Sequence, residues 1–339
     1  MQYVIPQTMQ AVVMKGLGDA SVLKVTHIDT PMPGPDEVLI KVHASTVNRF
    51  DIFHRSGQTG LPEDRPHILG MDVAGEIVAI GDKVREWEIG ERVTASFEAL
   101  GRDRNGGYAE YTTIPVSELR RLPPGLDTRT AAAIGMAFST AWVALLYRAR
   151  IRRREHIVIH AASSGVGTAC IQIANRHEGH VIAITSREKM DRVSEVGGHV
   201  VLRRNARDLV ERVMDATDGQ GASLVVDLVG KDTLQSSIEM LAYGGRVVSV
   251  GTLSGDKAKI NVEDLIMKNA SIVGAFQPIR RETFYVVMQL FEDGTFEPII
   301  DATYPLSQAR EAHERIESGE SFGKIMLIPD ALFTDSLHE

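Results

Sequence analysis

The stretch Ile157-Val158-Ile159-His160-Ala161-Ala162-Ser163-Ser164-Gly165-Val166-Gly167-Thr168 decides the fold. Its first residues form a short apolar, β-branched run, which reads as a buried strand. The small residues that follow make a tight turn, and Ala169-Cys170-Ile171-Gln172-Ile173-Ala174 continues as a helix. The first backbone N–H groups of a helix have no partner, and the helix dipole adds to their pull on an anion. A phosphate can settle there when the turn's side chains are small enough to let it approach. Measured against the G-x-G-x-x-G fingerprint, Ala162 and Ser164 occupy the first two glycine positions and Gly167 alone remains. Ser163, Ser164, Gly165, Val166 and Gly167 are the candidate phosphate cradle. A strand-helix turn with no ligand is the competing reading.

Downstream the pattern repeats. Val181-Ile182-Ala183-Ile184, Leu224-Val225-Val226-Asp227, Arg246-Val247-Val248-Ser249-Val250 and Ala270-Ser271-Ile272-Val273-Gly274 alternate with helix-length segments. Continuous apolar strands in a β-α alternation predict a parallel sheet buried on both faces. Upstream, from Gln10 to about Pro123, short strands such as Ala11-Val12-Val13-Met14 and Glu37-Val38-Leu39-Ile40-Lys41-Val42 are broken by Pro31, Pro33, Gly34, Pro35, Gly81 and Gly90. That texture predicts an irregular all-β unit. An Ala-rich helix from Thr128 joins the two. After Phe276 come helices near Arg281 to Phe291 and Ser307 to Ser318, then a last strand, Lys324-Ile325-Met326-Leu327-Ile328. The expected division is residues 1–127, then 128–275, with 276–339 returning to the first unit.

The strand Val181–Ile184 ends about 20 residues past the glycines, where a site for an unphosphorylated ribose places a carboxylate. Thr185-Ser186-Arg187-Glu188-Lys189 stands there instead. A hydroxyl and two cations suit a ribose 2′-phosphate, which Arg grips with several donors and Lys meets as a point charge. Ser186, Arg187 and Lys189 therefore favour NADPH over NADH, with Glu188 as a competing acid. Arg203 and Arg204 add positive charge to the same pocket or, alternatively, to plain surface.

Composition narrows the class. A chain of 339 residues suggests two domains at roughly 150 residues each. The net charge of −8 argues against nucleic acid as a partner. A single cysteine, Cys170, permits neither an internal disulfide nor a cysteine-rich zinc cage, which fits a reducing cytoplasm. No run approaches the ~20 apolar residues of a membrane span, and Ala331 to Glu339 reads as a frayed end.

Several segments, in this order and spacing, resemble the medium-chain dehydrogenase/reductase superfamily, in its zinc-free quinone oxidoreductase and enoyl reductase branch. They are Val47-Asn48-Arg49-Phe50-Asp51, Leu69-Gly70-Met71-Asp72-Val73-Ala74-Gly75, Gly106-Gly107-Tyr108-Ala109-Glu110-Tyr111, the turn quoted above, Asp218-Gly219-Gln220-Gly221, Asp227-Leu228-Val229-Gly230, Tyr243-Gly244-Gly245-Arg246 and Phe322-Gly323-Lys324-Ile325. The resemblance covers Met9 to Pro329. It implies an α/β chain: a GroES-like β-domain and a Rossmann domain with a doubly wound parallel sheet, joined as a homodimer through the Rossmann sheet edge. The zinc-dependent branch has a cysteine at the position of Asn48 and Gly-His-Glu at Gly70-Met71-Asp72, so two metal ligands are missing. His43, His54 and His67 have no i, i+3 or i+4 partner, and no metal is expected.

By position in the family pattern, Asn48 and Thr140 line the nicotinamide or its ribose and Asp51 shapes the substrate loop. Asn and Asp also favour turns on their own account. The family often has a tyrosine two residues after this aspartate; Phe53 stands there, and His54 beside it is a replacement proton donor or a solvated loop residue. Further cofactor-facing positions implied by the resemblance are Val229, Val250-Gly251-Thr252 and Ala275-Phe276-Gln277, with Lys324 either touching the dinucleotide from the C-terminal segment or standing as the solvated first residue of a strand. Phe53, Phe97 and Phe276 suit an apolar pocket or a core. A nicotinamide enzyme without a Lewis acid is best matched to acceptors activated by conjugation. The expected activity is NADPH-dependent hydride transfer to a small apolar quinone or α,β-unsaturated carbonyl. A zinc-free carbonyl reductase or alcohol dehydrogenase, and a non-catalytic NADPH-binding protein, are the alternatives.

Overall fold

The computed structural model describes residues 3–60, 66–96, 99–276 and 279–335. It divides into two compact units, residues 1–136 with 280–339, and residues 137–279. The expected first boundary at 127/128 gives way to one inside a helix, because the start of the Ala-rich helix packs with the first unit.

The first unit runs β1 (Thr8–Met14), β2 (Leu23–Asp29), β3 (Glu37–Val47), α1 (Arg49–Arg55), β4 (His67–Ile68), β5 (Asp72–Ile80), β6 (Arg92–Ser96), β7 (Tyr111–Pro115), β8 (Arg120–Arg121) and the first part of α2 (Thr128–Trp142). β1 lies between β2 and β4 in a small antiparallel sheet. β3 is buried along most of its length, since Val38, Leu39, Ile40, Val42 and Ala44 pack into the core and β5 and β7 both pair with it.

The second unit holds β9 (His156–Ile159), α3 (Gly165–Arg176), β10 (His180–Thr185), α4 (Met190–Glu195), β11 (Val200–Arg203), α5 (Leu209–Asp215), β12 (Ala222–Asp227), α6 (Leu234–Glu239), β13 (Leu241–Ser249), α7 (Val262–Met267) and β14 (Ser271–Gly274). Its six strands are all parallel, in the order β11-β10-β9-β12-β13-β14. The chain leaves β9 to one side through β10 and later returns to the other through β12. The carboxyl end of β9 is thus the switch point where such sheets bind ligands. Val158, Ile182, Val225 and Val247 from the four central strands meet in the core.

The chain then returns to the first unit with α8 (Arg281–Glu292), β15 (Ile300–Pro305), α9 (Ala309–Glu317), β16 (Lys324–Ile328) and α10 (Asp330–Asp335). β16 inserts between β15 and β3.

Three expectations change. The strand expected through His160 stops at Ile159, because Ala161 turns the chain in the left-handed region at φ 47°. The tail expected to fray from Ala331 begins as α10, whose Asp330 carboxylate accepts the Ser307 amide and the Gln10 side-chain amide. Finally, α2 continues into a π-helical turn, Val143–Arg148, making a 21-residue helical run long and apolar enough to cross a membrane by length and composition. Two thirds of its apolar window is buried inside the protein, as in a core helix.

Candidate active site

Sheet register builds a polar cluster in the first unit. Thr46 pairs with Asp72 across β3 and β5, and Ile325 pairs with Val47 across β16 and β3. The adjacent residues Asn48 and Lys324 therefore leave the sheet side by side. Lys324 Nζ donates to Asn48 Oδ1 at 2.6 Å and lies 3.3 Å from Asp72 Oδ2. Asn48 Nδ2 donates to the same carboxylate oxygen at 2.8 Å, and Thr46 Oγ1 donates to it at 2.6 Å. The other oxygen of Asp72 accepts the Met136 amide of α2 at 2.8 Å. A buried carboxylate is tolerated when donors surround it in this way. Gly135 is required beside it, since a Cβ there would sit 2.3 Å from Asp72 Oδ1.

Asn48 caps α1, and Asp51 completes the turn. Its Oδ2 accepts the Asn48 amide at 2.8 Å and its Oδ1 the Gly70 amide at 3.0 Å, tying the helix start to the segment before β5. Burial pushes the Asp51 carboxyl up to about 7, with the Asp72 charge adding to the effect and the two amides and Lys324 opposing it. Behind it the Tyr108 hydroxyl meets His313 on α9, and Arg55 pairs with Glu317.

His54 and Lys324 sit in surroundings that the sequence did not reveal. His54 is not a solvated loop residue: it lies buried in the last turn of α1, stacked on His67 with ring centroids 5.1 Å apart. Burial takes its imidazole down to about 4, His67 adding to the shift, so at neutral pH it carries no proton to give as an acid. Lys324, read as a dinucleotide contact or a solvated strand start, is buried, with its amine directed at Asn48 and Asp72. Arg49 is partly buried and donates to the Ile316 carbonyl.

In the second unit, Ser164 caps α3 and its hydroxyl accepts the Gly167 amide at 3.0 Å. The first-turn amides of Gly165 and Val166 have no intrahelical acceptor. A Cβ on Gly167 would lie 2.4 Å from the Ala161 carbonyl, so only this fingerprint glycine is demanded by packing. Ser164 sits at φ −77°, an ordinary value, which explains why a serine replaces a glycine there. At the end of β10, Ser186 precedes a helical turn, Arg187–Lys189, and the Arg204 amide donates to the Thr185 carbonyl at 2.7 Å. Arg187, Lys189 and Arg204 thus all start from one corner of the sheet, where Glu188 is held low by its own backbone amide, by a hydrogen bond with Ser186 and by Arg204 and Arg187.

Val229, Val250, Gly251 and Thr252 gather at the carboxyl ends of β12 and β13. The Val250 amide donates to the Asp227 carbonyl, and a Cβ on Gly251 would lie 2.5 Å from the Leu228 carbonyl. Asp227 organises this corner by accepting the Val229 and Gly230 amides, the Thr233 hydroxyl and the Ser237 hydroxyl. Ser237 also meets buried His160 at the end of β9. Thr140 is half-buried on α2, Phe276 is 78% exposed, and Phe97 and Gln277 lie outside the described residues.

Two family models match this chain: "Alcohol dehydrogenase GroES-like domain" over residues 34–124 and "Zinc-binding dehydrogenase" over residues 165–293. The chain is 33% identical over 328 residues to a human quinone oxidoreductase, covering 94% of this chain and 98% of that protein. The belonging is thereby decided. The chain is a member of the medium-chain dehydrogenase/reductase superfamily, in its quinone oxidoreductase branch. A quinone oxidoreductase from Coxiella burnetii shares the fold with a TM-score of 0.85 at 27% identity, over 95% of this chain and 99% of that one. A mycobacterial protein solved in complex with NADPH has a TM-score of 0.84 at 27% identity, over 95% of this chain and 100% of that one. This member of the superfamily is an oxidoreductase, and its Rossmann unit implies a nicotinamide cofactor.

The zinc in the family model's name does not fit the residues present. Catalytic zinc takes about three ligands drawn from thiolate, imidazole and carboxylate. Here the Asn48 oxygen and the Asp72 carboxylate face an ammonium, and Met71, the neighbour of Asp72 in sequence, is a buried thioether outside that ligand set. Among the described residues no group of three or more His, Cys, Asp or Glu side chains is arranged to hold a metal. Burial pushes the Cys170 thiol far up, so it is a core residue rather than a ligand or nucleophile.

Sequence reasoning missed the Asp72 hub, His160 and His313. Only His313 carried a signal: Ala309, Ala312, His313 and Ile316 follow helical spacing, which puts the imidazole on the buried face of α9.

Proposed function

We propose that this protein is a zinc-independent, NADPH-dependent reductase of a small apolar conjugated acceptor, a quinone or an α,β-unsaturated carbonyl. The carrying observation is the Asn48 cluster: a carboxamide gripped by an ammonium and a carboxylate is a hydrogen-bonding device, not a Lewis acid. Such a device suits an acceptor whose conjugation already lowers the barrier to hydride addition. An unconjugated ketone needs stronger polarisation.

When bound, NADPH supplies the hydride, which adds to the β-carbon of an enone or to a quinone. The chain's own groups do the rest. The first turn of α3 binds the pyrophosphate, and Ser186, Arg187, Lys189 and Arg204 grip the 2′-phosphate. Thr140, Val229, Val250, Gly251, Thr252 and Phe276 flank the nicotinamide half. Asn48 donates its remaining N–H to the oxygen on which charge develops, while Asp51 holds the Asn48 backbone in place. With His54 neutral, solvent water delivers the final proton, to the α-carbon of an enolate or the oxygen of a hydroquinone. The similarity to quinone oxidoreductases and the NADPH complex of a structural neighbour support this reading. The same reading places the protein in the cytoplasm, where its single thiol stays reduced, and pairs it with a second copy through the open edge of β14.

The test is the initial rate of NADPH and NADH oxidation by metal-free protein with an enone, a quinone and a simple ketone. The expected result is turnover with a conjugated acceptor and a preference for NADPH. Turnover of the ketone alone overturns the acceptor class, and tight NADPH binding with no turnover points to a non-catalytic role.

A further inference from the structure

Side-chain amides are ambiguous about which end is oxygen, but the partners of Asn48 settle it. An ammonium has only donors and can face only Oδ1; a carboxylate has only acceptors and can face only Nδ2. Lys324 and Asp72 therefore leave Asn48 one orientation, with one Nδ2 hydrogen spent on Asp72 and the second without a partner among the described residues. Asn48 is 8% exposed and Lys324 6%, so the pair is withdrawn from bulk water, where a fixed charge acts more strongly. Burying an ammonium beside a carboxylate is costly, and apolar side chains of similar volume often serve stability as well. That cost points to a use.

We propose that Lys324 is a positioning residue: its ammonium locks the Asn48 carboxamide and polarises it, so that the second Nδ2–H becomes a stronger donor to the acceptor's oxygen. The inference rests on the reductase reading above and adds the source of its electrophilic assistance. Positive charge reaches the reacting oxygen through one amide instead of through a metal. As electron density moves onto that oxygen, the carboxamide carries the ammonium's pull to it, and no proton leaves Lys324.

Lys324→Met alone strands the Asp72 charge, so loss of activity in that variant could reflect misfolding. The decisive variant is Lys324→Met with Asp72→Asn, which removes both charges together. A cooperative thermal transition and unchanged far-UV circular dichroism are expected to show that it folds, with NADPH affinity, followed by cofactor fluorescence, within about threefold. Its kcat with the conjugated acceptor is expected to fall on the order of 100-fold, the scale of a lost oxyanion donor, with little change in KM. Lys324→Arg, which keeps the charge, is expected to recover part of kcat. A folded double variant with kcat within about threefold of the unmodified protein overturns the proposal. Nitrogen-proton NMR of the Asn48 side-chain amide gives a second readout that needs no turnover. Its resonances are expected to shift in both the double and the Lys324→Arg variants, and unshifted resonances overturn the lock. If the unmodified protein reduces no conjugated acceptor, the reductase reading falls on its own, and the NMR arm still judges the orientation of Asn48.

Discussion

The Tyr108 hydroxyl lies 3.0 Å from Nε2 of His313, and both rings are fully buried. Burial takes the His313 imidazole down to about 3, with the Arg55 guanidinium adding to the effect, and burial takes His54 down to about 4. Both histidines are neutral in the folded protein, whereas the unfolded chain protonates them below about 6.5. Their contribution is complete above that pH and is lost as the solution is acidified. Asp51 acts in the opposite sense. Its carboxyl is raised to about 7, so the folded state holds a proton that the unfolded chain releases above about 4, and this contribution fades as pH rises from about 4 to 7. Two histidines outweigh one carboxyl, so these three groups make the protein less stable from pH 6.5 down to pH 4. His313→Gln keeps a polar partner for Tyr108 but cannot titrate, and is expected to remove about one proton from this acid slope. Urea unfolding at several pH values in that range measures the slope, and an unchanged slope in the variant refutes the assignment.

Gly167 and Ser164 make different demands on the phosphate turn. A methyl group on Gly167 would collide with the backbone of Ala161 and Ala162, which cannot yield without moving α3 off the sheet. Gly167→Ala is expected to destabilise the fold by about 1–3 kcal/mol, as overpacking does, and to weaken NADPH binding at least tenfold. Ser164→Gly loses one capping hydrogen bond and is expected to cost only a few tenths of a kcal/mol. Thermal midpoints and cofactor titrations on the two variants separate these effects. Equal behaviour would mean that the turn is not held as described.

The cationic corner at the end of β10 predicts the cofactor preference. Arg187→Ala and Arg204→Ala remove charge from a 2′-phosphate but from nothing that NADH carries. Each is expected to raise KM for NADPH about 10-fold or more while leaving KM for NADH within about threefold, a difference that shrinks as salt screens the corner. Steady-state kinetics with both cofactors at low and moderate salt checks this. A parallel loss with NADH would place the arginines in folding rather than in recognition.

How much of this was legible in the sequence depended on distance along the chain. The α3 turn could be read directly because its strand, turn and helix are contiguous, and Gly167 is singled out by one local clash. Asn48 and Lys324 could each be named but not brought together, since Lys324 reaches Asn48 across 276 positions and only the β16–β3 register joins them. Lys324 looked like the solvated start of an apolar strand. His54 shows a different limit: its spacing is compatible with a loop or a helix end, and only packing against His67 decides that it is buried. The Asp227 hub escaped notice because an aspartate closing an apolar strand looks like an ordinary turn residue, whatever its carboxylate accepts.

The open edge of the Rossmann sheet yields the last prediction. Among the described residues β14 pairs with β13 alone, so it is an edge strand, with the Gly274 carbonyl at its end taken by the Arg148 side chain. Beside it α7 exposes Val262, Ile266 and Met267, at 59%, 69% and 70%, and Tyr243 at the start of β13 is also exposed. An unpaired edge next to an apolar helix face is a hazard for a lone chain, and a second copy related by a two-fold axis covers both at once, edge to edge. A dimer is therefore expected in solution, and Ile266→Asp with Met267→Asp is expected to give a monomer by light scattering without changing far-UV circular dichroism. The reductase activity of that monomer is expected to persist, because none of the proposed site residues lies on α7. A dimer unaffected by the two aspartates would place the interface elsewhere.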